Sequence, residues 1–180
     1  FWIDIAVERF GFPSEKAHVK IGSVILQFFI FSTLFLMSEL STAQVWATAV
    51  SKNEAEGTAI IYRYIKEFAP GFLRNRQPDR IIIVWRYQGE KGMPSSDERH
   101  RMDELEDALS PLGKDGFSTL ALVSTGDSIK EWTYYTKAET TFLERLNLAL
   151  RSETAFPIEI HASPDPGWTT YERFIGGVKN

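Results

Sequence analysis

The sequence predicts an α+β protein with elements in the order β-α-β-β-α-β. This is the ferredoxin-like arrangement, a four-stranded antiparallel sheet carrying two helices on one face. Three observations predict it. From residue 80 onward, short β-branched and aromatic runs alternate with two segments whose apolar residues recur at helical spacing. Each helical segment follows a capping-type sequence, Ser95-Ser-Asp-Glu98 and Thr136-Lys-Ala-Glu139. A turn at Gly126-Asp-Ser128 joins the two middle strands as a hairpin. A β-hairpin and an N-terminal apolar helix are expected ahead of this unit.

In chain order, the first Met is Met37, and residues 1 to 18 are expected to be a non-native upstream extension. Residues 21 to 37 (IGSVILQFFIFSTLFLM) carry no charge, follow Lys16 and Lys20, and precede the small-x-small pair Ser41 and Ala43. A basic flank, an apolar run and such a pair make up a secretory signal peptide. Residues 19 to 43 are therefore expected to be a signal peptide cleaved near Ala43, giving a periplasmic or secreted protein. The alternative is a membrane anchor, in which case this segment is the chain's contact with the membrane. A spanning helix needs about 20 apolar residues, and this run has 17.

Residues 44 to 79 read as a hairpin and a loop. Val45 to Ser51 (VWATAVS) and Thr58 to Ile65 (TAIIYRYI) are the strands, joined by the polar KNEAEG. Lys66 to Asp79 holds two Pro and one Gly, which break regular structure. The hairpin either covers the open face of the sheet or extends it. In the domain spanning residues 80 to 180, Arg80 to Gln88 (RIIIVWRYQ) is nearly continuously apolar, as a central strand should be. Met102, Leu105 and Leu109 then mark one face of a helix that Pro111 and Gly113 stop. Phe117 to Thr125 and Ile129 to Thr136 are the hairpin strands. Phe142, Leu143, Leu146, Ala149 and Leu150 form the stripe of the second helix. Pro157 to His161 is the last strand, and a short helix or coil opens at Asp165-Pro-Gly-Trp168. In this arrangement runs 80–88 and 129–136 are central, flanked by 157–161 and 117–125 respectively.

Composition narrows the function. The chain has 180 residues, 43% hydrophobic and 13% aromatic, a net charge of −4 and no Cys. The absent thiols exclude disulfides, thiolate metal sites and a cysteine nucleophile. A mildly acidic chain is not built to grip phosphate backbones, so no nucleic-acid partner is expected. There is no Gly-rich phosphate loop, zinc-type His spacing or Gly-x-Ser-x-Gly elbow, so neither a cofactor nor a metal is expected.

Seven pieces carry a resemblance: Ile83 to Tyr87 (IVWRY), Gly92 to Ser95 (GMPS), Leu105 to Leu109 (LEDAL), Thr125-Gly126, Glu131 to Tyr135 (EWTYY), Pro157 to Ile160 (PIEI) and Asp165 to Tyr171 (DPGWTTY). They lie in order across residues 80 to 174. The chain resembles the bacterial family called domain of unknown function 695. The resemblance implies a fold and no reaction.

There are two sets of site candidates, the first from strand alternation. Arg86, Glu131, Glu159 and His161 are expected on one sheet face. An Arg, a His and two carboxylates there could do acid–base work, or could be cross-strand ion pairs on a solvated face. Trp85, Trp132, Tyr134, Trp168 and Tyr171, with Asp165 in the loop before Trp168, could line a ligand or partner site. The competing reading makes the aromatics core and Asp165 a turn or helix cap. The functional expectation is a non-catalytic binding or protein-interaction module of the cell envelope, with an unknown protein or small-molecule partner. The alternative is a small hydrolase-type enzyme using Arg86, Glu131, Glu159 and His161.

Overall fold

The structure, a computed structural model, describes residues 44–178. The expected signal or anchor helix and the upstream extension lie outside the described residues. Six strands and three α-helices follow one another as β1 (Val45–Asn53), β2 (Thr58–Glu67), β3 (Asp79–Arg86), α1 (Ser96–Leu109), β4 (Ser118–Gly126), β5 (Ile129–Thr136), α2 (Glu139–Ala149), β6 (Ile158–Pro164) and α3 (Thr169–Gly177). The strands form one antiparallel sheet in the order β1-β2-β4-β5-β3-β6.

The sheet is thus six-stranded, where the sequence predicted four. The hairpin extends it, because β2 pairs with β4 from Ile60 opposite Gly126 to Tyr64 opposite Leu122. Gly126 permits the approach. A Cβ there would stand 2.3 Å from the Ala59 carbonyl oxygen, and its φ of +154° disfavours any side chain. Asp127 and Ser128 follow at positive φ, as a tight hairpin turn between β4 and β5 requires.

The main core lies between the sheet and two helices. Ile81, Ile83 and Trp85 of β3 and Trp132 and Tyr134 of β5 point one way, as alternation demands. They meet Met102, Leu105 and Leu109 of α1 and Phe142 and Leu146 of α2. Ser95 caps α1, its hydroxyl accepting from the Glu98 amide at 3.2 Å. The capping sequence at Thr136 does not act that way. α2 begins after Ala138, which makes no side-chain cap, and the Asp79 carboxylate accepts from the Glu139 amide at 3.0 Å instead. Thr136 itself is the last residue of β5 and fully buried, so it cannot turn to a helix start.

The opposite face carries α3, the short helix expected to open at Asp165 to Trp168. Trp168 lies flat on Tyr135, ring centroids 3.8 Å apart, with Phe68 and Phe72 edge-on to it. Its indole N–H donates to the Arg74 and Gln77 carbonyls, each at 3.0 Å. Trp168 adopts the left-handed region at φ +53°, which costs an L-residue about 1–2 kcal/mol. Burying a large ring is worth about 1.5–3 kcal/mol, enough to hold that conformation.

Candidate functional site

The first candidate row lies on the α3 side of the sheet. Val84 sits opposite Glu131 on one neighbour and Glu159 on the other, so both carboxylates share the face that also bears Arg86 and His161. Glu159 is held between two bases. Arg86 donates to it at 3.1 Å, and His161 Nε2 stands 3.5 Å from its second oxygen. Glu131 is one strand further on and accepts instead from the Ser124 hydroxyl at 3.3 Å. Side-chain exposure of 51–59% leaves Arg86, Glu159 and His161 in water. There an ion pair contributes at most about 1 kcal/mol.

The aromatic candidates are placed differently. Trp85, Trp132, Tyr134, Trp168 and Tyr171 are all buried, the first three in the main core and the last two beneath α3. Asp165 is buried beside them. It accepts from the Thr169 amide at 2.7 Å, the Thr170 amide at 3.1 Å and the Tyr135 hydroxyl at 3.0 Å. Burial pushes its carboxyl up, but these three donors outweigh burial and hold it below its ordinary value. Asp165 thus ties the start of α3 to Tyr135 of β5.

A second ionic group, missed at the sequence level, sits on the other face beside α1. Two residue rows cross the sheet there, Arg63–Val123–Trp132 and Ile61–Thr125–Lys130. Glu106 of α1 descends onto them. Its carboxylate accepts from Arg63 and from the Trp132 indole N–H at 3.1 Å, and Lys130 Nζ stands 3.7 Å away. The Arg63 guanidinium lies over Trp46 at 5.5 Å, and Lys130 Nζ over Trp132 at 4.9 Å.

These groups are half out of water, and their proton affinities show it. Burial raises the Glu106 pKa, but hydrogen bonds from Arg63 and Trp132 and the charges of Arg63 and Lys130 outweigh burial and leave it lowered. Burial lowers the Lys130 pKa, against the opposing pull of Glu106 and Asp103. Lys130, only 11% exposed, opens with Arg63, Asp103, Glu106 and Asp107 onto a surface cavity of about 290 Å³. The cavity presents both signs of charge over an apolar floor of Ile61 and Val123. It suits a zwitterionic or mixed polar ligand or a partner's side chains. The two described histidines, His100 and His161, lie elsewhere. No group of three or more His, Cys, Asp or Glu among the described residues could hold a metal ion. No described helix is long and apolar enough to cross a membrane.

The second cavity lies on the α3 face, where a groove of about 760 Å³ separates the hairpin from α3. Tyr62 and Tyr64 floor it, with Phe174 of α3 at ring-centroid distances of 4.9 and 5.1 Å. Lys66 and Arg173 flank it.

Strands of the hairpin line both cavities. No curated protein and no solved structure matches the chain. The pattern of one family, described as a family of unknown function (DUF695), matches residues 44–175, which takes in β1, β2 and most of α3. At that coverage the assignment is direct: the chain belongs to the DUF695 family of unknown function.

Proposed function

We propose that the chain is a non-catalytic binding or protein-interaction module of the cell envelope. In this reading residues 19 to 43 export it, as a signal peptide cleaved near Ala43 or as a membrane anchor. The neighbour order β4-β5-β3-β6, with α1 and α2 on one face, supports a ferredoxin-like unit to which the hairpin is added.

One observation carries the binding reading. The hairpin takes the sheet past the edge of α1, and the step so formed collects Arg63, Glu106 and Lys130 around an open cavity. Perturbed, half-buried charges converging on a cavity are the usual mark of a recognition or catalytic site. Here each group is held by its neighbours in a way that orients a ligand. The cavity offers no base paired with a nucleophile and oriented by a third group, as covalent catalysis needs.

The hydrolase alternative has its own support, since Glu159 stands within reach of both Arg86 and His161. One experiment separates the two. The protein is expressed from its full sequence in a bacterial host and recovered by fraction. It is then offered chromogenic ester, phosphate-ester, glycoside and anilide substrates. The binding reading expects periplasmic or membrane recovery and no turnover above buffer. Turnover that disappears in His161→Ala or Glu159→Gln overturns it in favour of the hydrolase. Recovery of uncleaved protein in the cytosol overturns the envelope assignment.

A further inference from the structure

The two edges of the sheet are unlike. β6 is seven residues long, lies between Pro157 and Pro164, and projects Glu159 and His161 beside Arg86. Proline and charge are the standard protections of an exposed edge. β1 has neither. It runs nine residues, VWATAVSKN, with one charge at Lys52 and no Pro or Gly. Its irregularity is confined to the Val45/Trp46 step. Among the described residues nothing pairs with its outer side, so a row of backbone N–H and C=O groups faces outward. Val45 and Val50 beside it are 44% and 52% exposed. A long edge with no proline and a single charge near one end is a template for another strand.

We propose that this edge is occupied by β1 of a second copy of the chain, antiparallel, with the two-fold axis at Ala49. Ala49 is the midpoint of β1, so this register overlaps the two strands completely. It sets Thr48 opposite the partner's Val50 and Ala47 opposite the partner's Ser51. The single charge is accommodated as well. Lys52 falls opposite the partner's Trp46, on the face where Trp46 already accepts the Arg63 guanidinium at 5.5 Å. The two lysines are about 20 Å apart, six residues at roughly 3.4 Å each. The two lysines do not face each other, which a self-paired strand must satisfy. The same operation applied to β6 fails, because each of its ends carries a proline. The dimer would hold one continuous twelve-stranded sheet. The groove lined by β1, β2 and α3 then borders the two-fold axis, and the cavity at Arg63 begins one strand further in.

The chain has no Cys, so single cysteines report the register without interference. Residues facing each other in an antiparallel pair have Cα atoms about 4.5–5.5 Å apart, inside the about 4.4–6.8 Å span of a disulfide. Full-length protein is expressed, recovered as it accumulates and studied by sedimentation velocity. Ala49→Cys and Lys52→Cys are then oxidised and run without reductant. The proposal expects a wild-type dimer and a disulfide-linked homodimer from Ala49→Cys. It expects none from Lys52→Cys alone, but a linked species from Lys52→Cys mixed with Trp46→Cys. Far-ultraviolet circular dichroism of the reduced variants shows that they fold. A monomeric wild type at tens of micromolar overturns the proposal. So does a dimer that Ala49→Cys fails to link, or a link to a different protein.

Discussion

Replacing Asp165 decides whether the DPGW segment is a ligand loop or a structural clamp. In Asp165→Ala the amides of Thr169 and Thr170 lose their acceptor, and α3 loses its cap. Removal of a capping side chain costs about 0.5–2 kcal/mol. The Tyr135 hydroxyl loses the oxygen it donates to, and Tyr135 is fully buried. Leaving a buried donor unmade costs about 1–3 kcal/mol. Together the expected loss is about 2–4 kcal/mol. For a folded region of this size, 1 kcal/mol shifts Tm by roughly 3–5 °C, so the melting point should fall by roughly 6–20 °C. Asp165→Asn keeps one acceptor oxygen and should lose about half as much. The effect also has a pH signature. The Asp165 carboxyl is held below its ordinary value of 3.8 in the folded state. Its stabilisation is therefore present above that pH and disappears as pH falls through the lowered folded value. Urea unfolding followed by Trp fluorescence reads all of this, and Tyr135→Phe closes a double-mutant cycle with an expected coupling of about 1–2 kcal/mol. A change in Asp165→Ala smaller than about 0.5 kcal/mol would refute the clamp.

Glu106→Gln should cost about 1–2 kcal/mol at neutral pH, because the hydrogen bond from Arg63 loses its charge. The wild-type Glu106 contribution is present above the ordinary carboxyl value of 4.5 and is lost as pH falls through its lowered folded value. Urea midpoints at pH 7, 5 and 3 should therefore converge between wild type and Glu106→Gln at the acid end. The same substitution removes the main upward influence on Lys130, whose pKa should fall further, read from the Nζ-adjacent methylene shifts. By contrast Arg86→Ala and His161→Ala, which break an exposed triad, should each change stability by less than about 0.5 kcal/mol in the same urea assay.

How much of this was legible in the sequence varies with the range of the interaction. Alternation along a strand is local, so a common face for Arg86, Glu131, Glu159 and His161 is legible in the sequence, and the pairing places them together. The Ser95 cap is equally local. The second cap was not, because Asp79 reaches Glu139 from a strand sixty residues earlier. The strand β6 runs to Pro164, past the expected end at His161, because Asp79 and Arg80 remain available as partners. The hairpin's place depended on β2 meeting β4, and one-dimensional spacing does not encode that choice. The convergence of Arg63, Glu106 and Lys130 is therefore not visible in their spacing along the chain. The signal that would have helped is Arg63 itself, a charge in an otherwise apolar and aromatic strand, TAIIYRYI. Such a residue calls for a partner of opposite sign on a facing element.

The central claim is that the cavity at Arg63, Glu106 and Lys130 receives a ligand and does no chemistry on it. The most direct measurement uses the Trp132 indole N–H, which donates to Glu106 at the cavity. Its resonance is followed in ¹⁵N-labelled full-length protein titrated with a set of tripeptides of varied charge, products being monitored in the same samples. The account predicts a saturable shift with at least one peptide, abolished by Glu106→Gln, and unchanged peptide at the end. A resonance that stays fixed throughout the set, or peptide consumed during the titration, would contradict it.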